Sequence, residues 1–143
     1  MKFARLYLSL LIASVIIMSA CSNPLSNLFG SPSAPSSNTP TTDTFNGNLA
    51  PSGSLVFTFS VATAGSVAVT LTAVSPATTA PLGLGVGQSS DGNCTIATST
   101  SAATAAGSPQ LSANENPGSY CVKVSDAGSL LTTSTVTVTV THP

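Results

Sequence analysis

Residues 44–143 predict an all-β sandwich of about eight short antiparallel strands. Apolar and polar residues alternate through most of that span, and turn-forming clusters of Gly, Pro, Asn and Asp recur about every 8 to 12 residues. Within that span no window reads as a helix; Leu25, Leu28 and Phe29, ahead of it, have near-helical spacing in a segment too short and Pro-flanked to form one. A domain of about 100 residues buries something over roughly 60% of its unfolded surface, which is enough to fold alone.

The elements follow in order. A short strand carries Phe45, Gly47 and Leu49, and Pro51-Ser52-Gly53 turns it into a second, where Leu55, Phe57, Phe59 and Val61 face the core between Val56, Thr58 and Ser60. Ala64-Gly65 reverses the chain into Val67, Val69, Leu71 and Ala73, opposed by Ala68, Thr70 and Thr72. The run Leu82-Gly83-Leu84-Gly85-Val86-Gly87 buries its large side chains and leaves the opposite face bare. Asp91-Gly92 then supplies a tight hairpin turn. Cys94 and Ile96 open a short strand, Thr98 to Gly107 reads as a loose loop of small residues, and Leu111 marks another strand. Asn114-Glu115-Asn116-Pro117-Gly118 turns the chain into Tyr120, Val122 and Val124, and after Asp126-Ala127-Gly128 it ends in Val136, Val138 and Val140 alternating with Thr.

Charge excludes whole classes of function. Of 143 residues only 3 are Lys or Arg and 4 are Asp or Glu, giving net charge −1, so there is no basic stripe to track phosphates and nucleic acid is excluded as a partner. The chain has one His, His142, penultimate and expected to be frayed, and no Gly-x-Ser-x-Gly elbow. Each carboxylate, at Asp43, Asp91, Glu115 and Asp126, is expected in its own turn, so the reading is a protein that is not an enzyme. Threonine ladders at Thr70–Thr72 and Thr135–Thr141 suit a solvated strand face better than an adhesive one.

The start of the chain is an address. Lys2 and Arg5 precede a largely apolar run from Leu6 to Met18, a secretory signal too short to span a bilayer. Met18-Ser19-Ala20-Cys21 resembles the lipobox of bacterial lipoproteins, with Met18 in place of the usual Leu. That resemblance implies cleavage after residue 20, acylation of Cys21 with palmitate-type chains, and attachment to the membrane through them. Ordinary signal cleavage would instead leave Cys21 as an odd thiol. With one cation, Lys123, left in the mature chain, stable anchoring needs more than one acyl chain, at about 0.8 kcal/mol per buried CH₂. The absence of Asp after Cys21 resembles the sorting pattern of outer-membrane lipoproteins, which places the protein in the bacterial cell envelope on the periplasmic or surface face. Cys21 to Asp43 is a tether rich in Ser, Pro and Thr. Residues 22–42 would average about 25 Å end to end as a coil and reach roughly 70 Å extended.

Phe45-Asn46-Gly47-Asn48-Leu49-Ala50-Pro51-Ser52-Gly53-Ser54, Phe57-Thr58-Phe59, Leu82-Gly83-Leu84 and Pro117-Gly118-Ser119-Tyr120-Cys121-Val122-Lys123-Val124-Ser125-Asp126 resemble the bacterial pre-peptidase C-terminal (PPC) domain over most of residues 44–143. Pro51-Ser52-Gly53 replaces the simpler Pro-Gly of that family. The resemblance implies a jelly-roll-like sandwich and a binding or accessory role; members are appended to secreted proteases and other exported proteins, and some bind calcium or insoluble substrates.

With Cys21 acylated, Cys94 and Cys121 form an even pair in an oxidising compartment, and a disulfide is the natural reading, off the main core. A metal site lacks further ligands, and no cationic neighbour marks a reactive thiol. No cofactor is expected. Calcium would draw on Asp91 and Glu115 with the amides of Asn93, Asn114 and Asn116, a set short of the several carboxylates that such sites commonly use.

The expectation is therefore a lipid-anchored, non-catalytic binding or accessory module of the envelope, with an envelope protein or polysaccharide as partner. The alternative is a structural or self-associating surface lipoprotein without a specific ligand. The charge-free strand Thr135–Thr141 is the candidate partner edge, against the plainer alternative that it is paired on both sides.

Overall fold

The computed structural model describes residues 39–143. The stretch read as a signal peptide, Cys21 and most of the stretch read as a tether lie outside the described residues. Eight strands follow in order: β1 (Thr41–Leu49), β2 (Ser54–Val61), β3 (Gly65–Ser75), β4 (Leu82–Ser90), β5 (Asn93–Ala103), β6 (Leu111–Glu115), β7 (Gly118–Ser125) and β8 (Ser134–His142). All pairings are antiparallel, in two four-stranded sheets ordered β1-β8-β3-β6 and β2-β7-β4-β5. This is a jelly-roll sandwich: the chain changes sheet at every connection except the β4–β5 hairpin.

The period-two pattern builds the core. Leu49, Phe59, Val61, Val67, Val69, Leu71, Leu82, Leu84, Val86, Tyr120, Val122, Val124, Val136, Val138 and Val140 are buried between the sheets. Phe45 and Phe57 stack at 5.1 Å between ring centroids along one side, where burial is only partial. At the β4–β5 hairpin Asp91 and Gly92 both take positive φ, 50° and 78°. These angles match the right-handed twist of the paired strands, as the Asp-Gly pair foretold.

Five expectations are corrected. β1 begins at Thr41, inside the stretch read as tether, because Thr41, Thr42 and Asp43 pair with His142, Thr141 and Val140. The loose loop from Thr98 does not exist as such: β5 continues to Ala103, its small residues paired along β4 through two register shifts. Ala73 is exposed rather than inward, because a bulge after Leu71 reverses the alternation and turns Val74 toward the core instead. The strand at Thr135–Thr141 is no edge, since β8 is hydrogen-bonded to β1 on one side and β3 on the other. His142 is not frayed: it closes β8, is 6% exposed, and lies 5.4 Å from the Phe59 ring.

Candidate binding surface

The outer face of the β2-β7-β4-β5 sheet holds a shallow trough of about 260 Å³. Its floor is β4, where Gly83 and Gly85 face outward because Leu82, Leu84 and Val86 face the core. One wall is Ile96, Ser99 and Ser101 of β5, and the other is Lys123 and Ser125 of β7. Ile96 lies over Gly85, its Cγ2 3.0 Å from where a β-carbon would stand. Lys123 is half-buried and is the one Lys or Arg among the described residues. It makes no ion pair there, since the structure's salt bridge joins other residues. The trough thus offers hydroxyls, bare peptide backbone and one uncommitted cation.

The disulfide stands beside it. Cys94 of β5 and Cys121 of β7 are joined with their Cα atoms 5.8 Å apart, although β4 runs between those strands. Gly87 makes this span feasible. Cys94 pairs with Ser89, with two residue pairs between it and the shift at Val86/Gly87, and β5 folds so closely over Gly87 that a β-carbon there would overlap the Thr95 carbonyl. The Cys121 sulfur lies 3.4 Å from the carbonyl oxygens of Gly87 and Gln88. Cys121 is fully buried yet stands outside the main hydrophobic cluster, as its strand parity requires.

The carboxylates are dispersed. Asp43 is on β1, not in a turn, and its Oδ2 is 3.2 Å from His142 Nε2, so the chain does contain the His–carboxylate pair that its sequence did not suggest. A concavity of about 460 Å³ adjoins it, lined by Thr39, Thr41, Ser60, Ala62, Thr63 and Pro143 besides His142. His142 Nδ1 is 3.2 Å from the Pro143 oxygen, so an oxygen faces each ring nitrogen. Asp91 accepts from Ser90 Oγ at 3.1 Å in its hairpin. Glu115 ends β6 beside Tyr120, whose phenol is pushed up by burial and then by that carboxylate while its hydroxyl donates to the Asn116 carbonyl at 2.8 Å. Among the described residues no three His, Cys, Asp or Glu side chains gather at one point; Asp91 stands in its hairpin turn, while Glu115 is the last residue of β6 rather than part of a turn.

Asp126 joins two loops. Burial opposes its ionisation, but N–H donors of Ser52, Ser129, Leu130 and Gly128 outweigh burial and hold its carboxyl below the ordinary range. The bonds from Ser52 and Ser129 are both 2.8 Å. Gln110 was missed in the sequence. Its Oε1 accepts from Leu71 N–H at 2.8 Å and its Nε2 donates to Thr104 O at 2.7 Å, which ties the β5–β6 loop to β3 at its bulge. No local pattern announces such a glutamine.

Fold and surface together define a disulfide-bonded jelly-roll sandwich with a shallow trough on one sheet. Its fold is similar to that of the Yersinia pseudotuberculosis-derived mitogen, with a TM-score of 0.51 and 15% identity over 73% of this chain and 88% of that one. At that identity the likeness concerns fold alone. No family model and no curated protein matches the chain.

Proposed function

We propose that the protein is a lipid-anchored, non-catalytic binding module of a bacterial cell envelope, carried on the outer membrane by acylated Cys21 and holding its partner on the outer face of the β2-β7-β4-β5 sheet. The observation that carries the binding role is the trough, where the half-buried Lys123 stands uncommitted among Ser99, Ser101 and Ser125 over a glycine floor. That chemistry suits a carboxylate- or hydroxyl-bearing segment of an envelope polysaccharide or protein. The lipobox-like Met18-Ser19-Ala20-Cys21 supports the anchor, and the Cys94–Cys121 bridge supports an oxidising compartment. The resemblance to PPC domains agrees with an accessory rather than catalytic role.

The test has two arms. Wild-type protein should incorporate radioactive palmitate and partition into detergent, and Cys21→Ser should do neither; an unlabelled, freely soluble wild type refutes the anchor. Purified full-length chain should bind acidic envelope polysaccharide or isolated envelope protein in a Lys123-dependent way. Binding unchanged in Lys123→Gln and Gly85→Leu refutes the trough.

A further inference from the structure

We infer that β2 is an association edge through which two copies of this chain pair antiparallel, so that the β2-β7-β4-β5 sheet of one continues into that of the other. The pairing goes beyond the binding-module reading and depends on neither the acyl anchor nor a ligand in the trough.

The two sheets leave four edges: β1 and β6 on one, β2 and β5 on the other. Unpaired edge backbone is a template for another strand, and edges are ordinarily blunted by charge, Pro, shortness or bulges. β1 carries Asp43, and β6 is 5 residues long and ends in Glu115. β5 is broken by register shifts at Leu82/Leu84 and Val86/Gly87. β2 has none of these devices. Ser54-Leu55-Val56-Phe57-Thr58-Phe59-Ser60-Val61 pairs with β7 without irregularity over 8 residues and contains no charge and no Pro. Among the described residues no hydrogen bond outside the β7 ladder reaches it.

Side chains point the same way. Val56, on the outer face of β2, is 45% exposed, and Leu55, Phe57 and the Phe45 ring stacked on Phe57 are the core's partly buried members along this side. An unpaired ladder and incompletely covered apolar side chains therefore coincide.

Charge selects a second copy as the occupant. Two β1 or two β6 edges meeting about a two-fold bring Asp43 or Glu115 of both copies into one interface, whereas β2 carries no like charges to oppose. The alternation sets the register, because antiparallel partners share a face. A two-fold through Phe57 aligns Ser54–Ser60 with itself, placing Val56 against Thr58 outside and Leu55 against Phe59 inside. The chain preceding β1 is compatible: residues 22–40 reach about 65 Å extended, so tethers leaving opposite ends of the paired strands can enter the same membrane.

The experiment is sedimentation and native mass spectrometry of the mature full chain in detergent across a concentration series. Expected is a monomer–dimer equilibrium, with β2 amides gaining hydrogen-exchange protection as concentration rises. Val56→Lys/Thr58→Lys sets cations face to face twice in the dimer and should weaken association at least tenfold with wild-type melting retained; Ile96→Lys, on β5 at the opposite edge of the same sheet, should leave the dimer intact. A chain that stays monomeric at millimolar concentration overturns the inference. So does a dimer indifferent to the β2 double variant, a dimer broken by Ile96→Lys, or concentration-dependent protection on a strand other than β2. Unlabelled Cys21 would refute the anchor while leaving this equilibrium in place, so the two failures are distinguishable.

Discussion

Replacing Cys94 and Cys121 together by Ala removes the covalent tie between β5 and β7 and opens a loop with sequence separation 27. The chain-entropy argument for a loop of that length gives about 3.5 kcal/mol at 25 °C. For a domain of about 100 residues, each kcal/mol moves the melting temperature by roughly 4 to 5 °C, so a fall of about 15 °C is expected. The loss should be local in origin. β5 is an edge strand, anchored at its far end by Ala103 in the core and elsewhere by its bulged ladder to β4, so its first residues at Asn93–Thr95 are the part released. The assay is calorimetry of oxidised wild type against the double variant, with hydrogen exchange read strand by strand at equal pH. Protection should drop first at the start of β5, with β3 and β8 least affected. A melting temperature within about 2 °C of wild type would refute the reasoning, because the unfolded chain would then gain almost no freedom from losing the bridge.

Gly87→Ala puts a β-carbon onto the Thr95 carbonyl and should cost about 1–3 kcal/mol by overpacking, read as a lower urea midpoint and slower disulfide formation during refolding. Gln110→Ala leaves the Leu71 N–H without its acceptor and should destabilise by about 1–3 kcal/mol, measured by chemical denaturation. The pH dependence carries a sign. Because Asp126 titrates below its ordinary range in the fold, its contribution is full above the unfolded pKa and is lost as pH falls through the folded one. Urea midpoints should therefore decline on acidification, and Asp126→Asn should flatten that decline; an identical slope in both proteins counts against the four-donor cradle.

The sequence alone determined the class of fold and most of the core, since alternation assigns a face to each residue of a strand once the turns are placed. Val67, Val69, Leu71, Tyr120, Val122, Val124, Val136, Val138 and Val140 needed nothing more, and neither did the Asp91-Gly92 hairpin. The Cys94–Cys121 bridge followed from counting. What tertiary structure decided is everything set by pairing between distant segments. Which strands are edges depends on the order β1-β8-β3-β6 and β2-β7-β4-β5, and no local pattern records that β8 is central and β2 is not. The bulge after Leu71 reversed Ala73 and Val74 because a single extra residue changes parity, a choice made by β8 across the ladder. His142 and Asp43 stand 99 residues apart in sequence and meet because the first and last strands pair. The trough has the same origin: Gly83 and Gly85 are legible as bare positions, but only β5 and β7 on either side turn bare backbone into a floor with Lys123 at its wall.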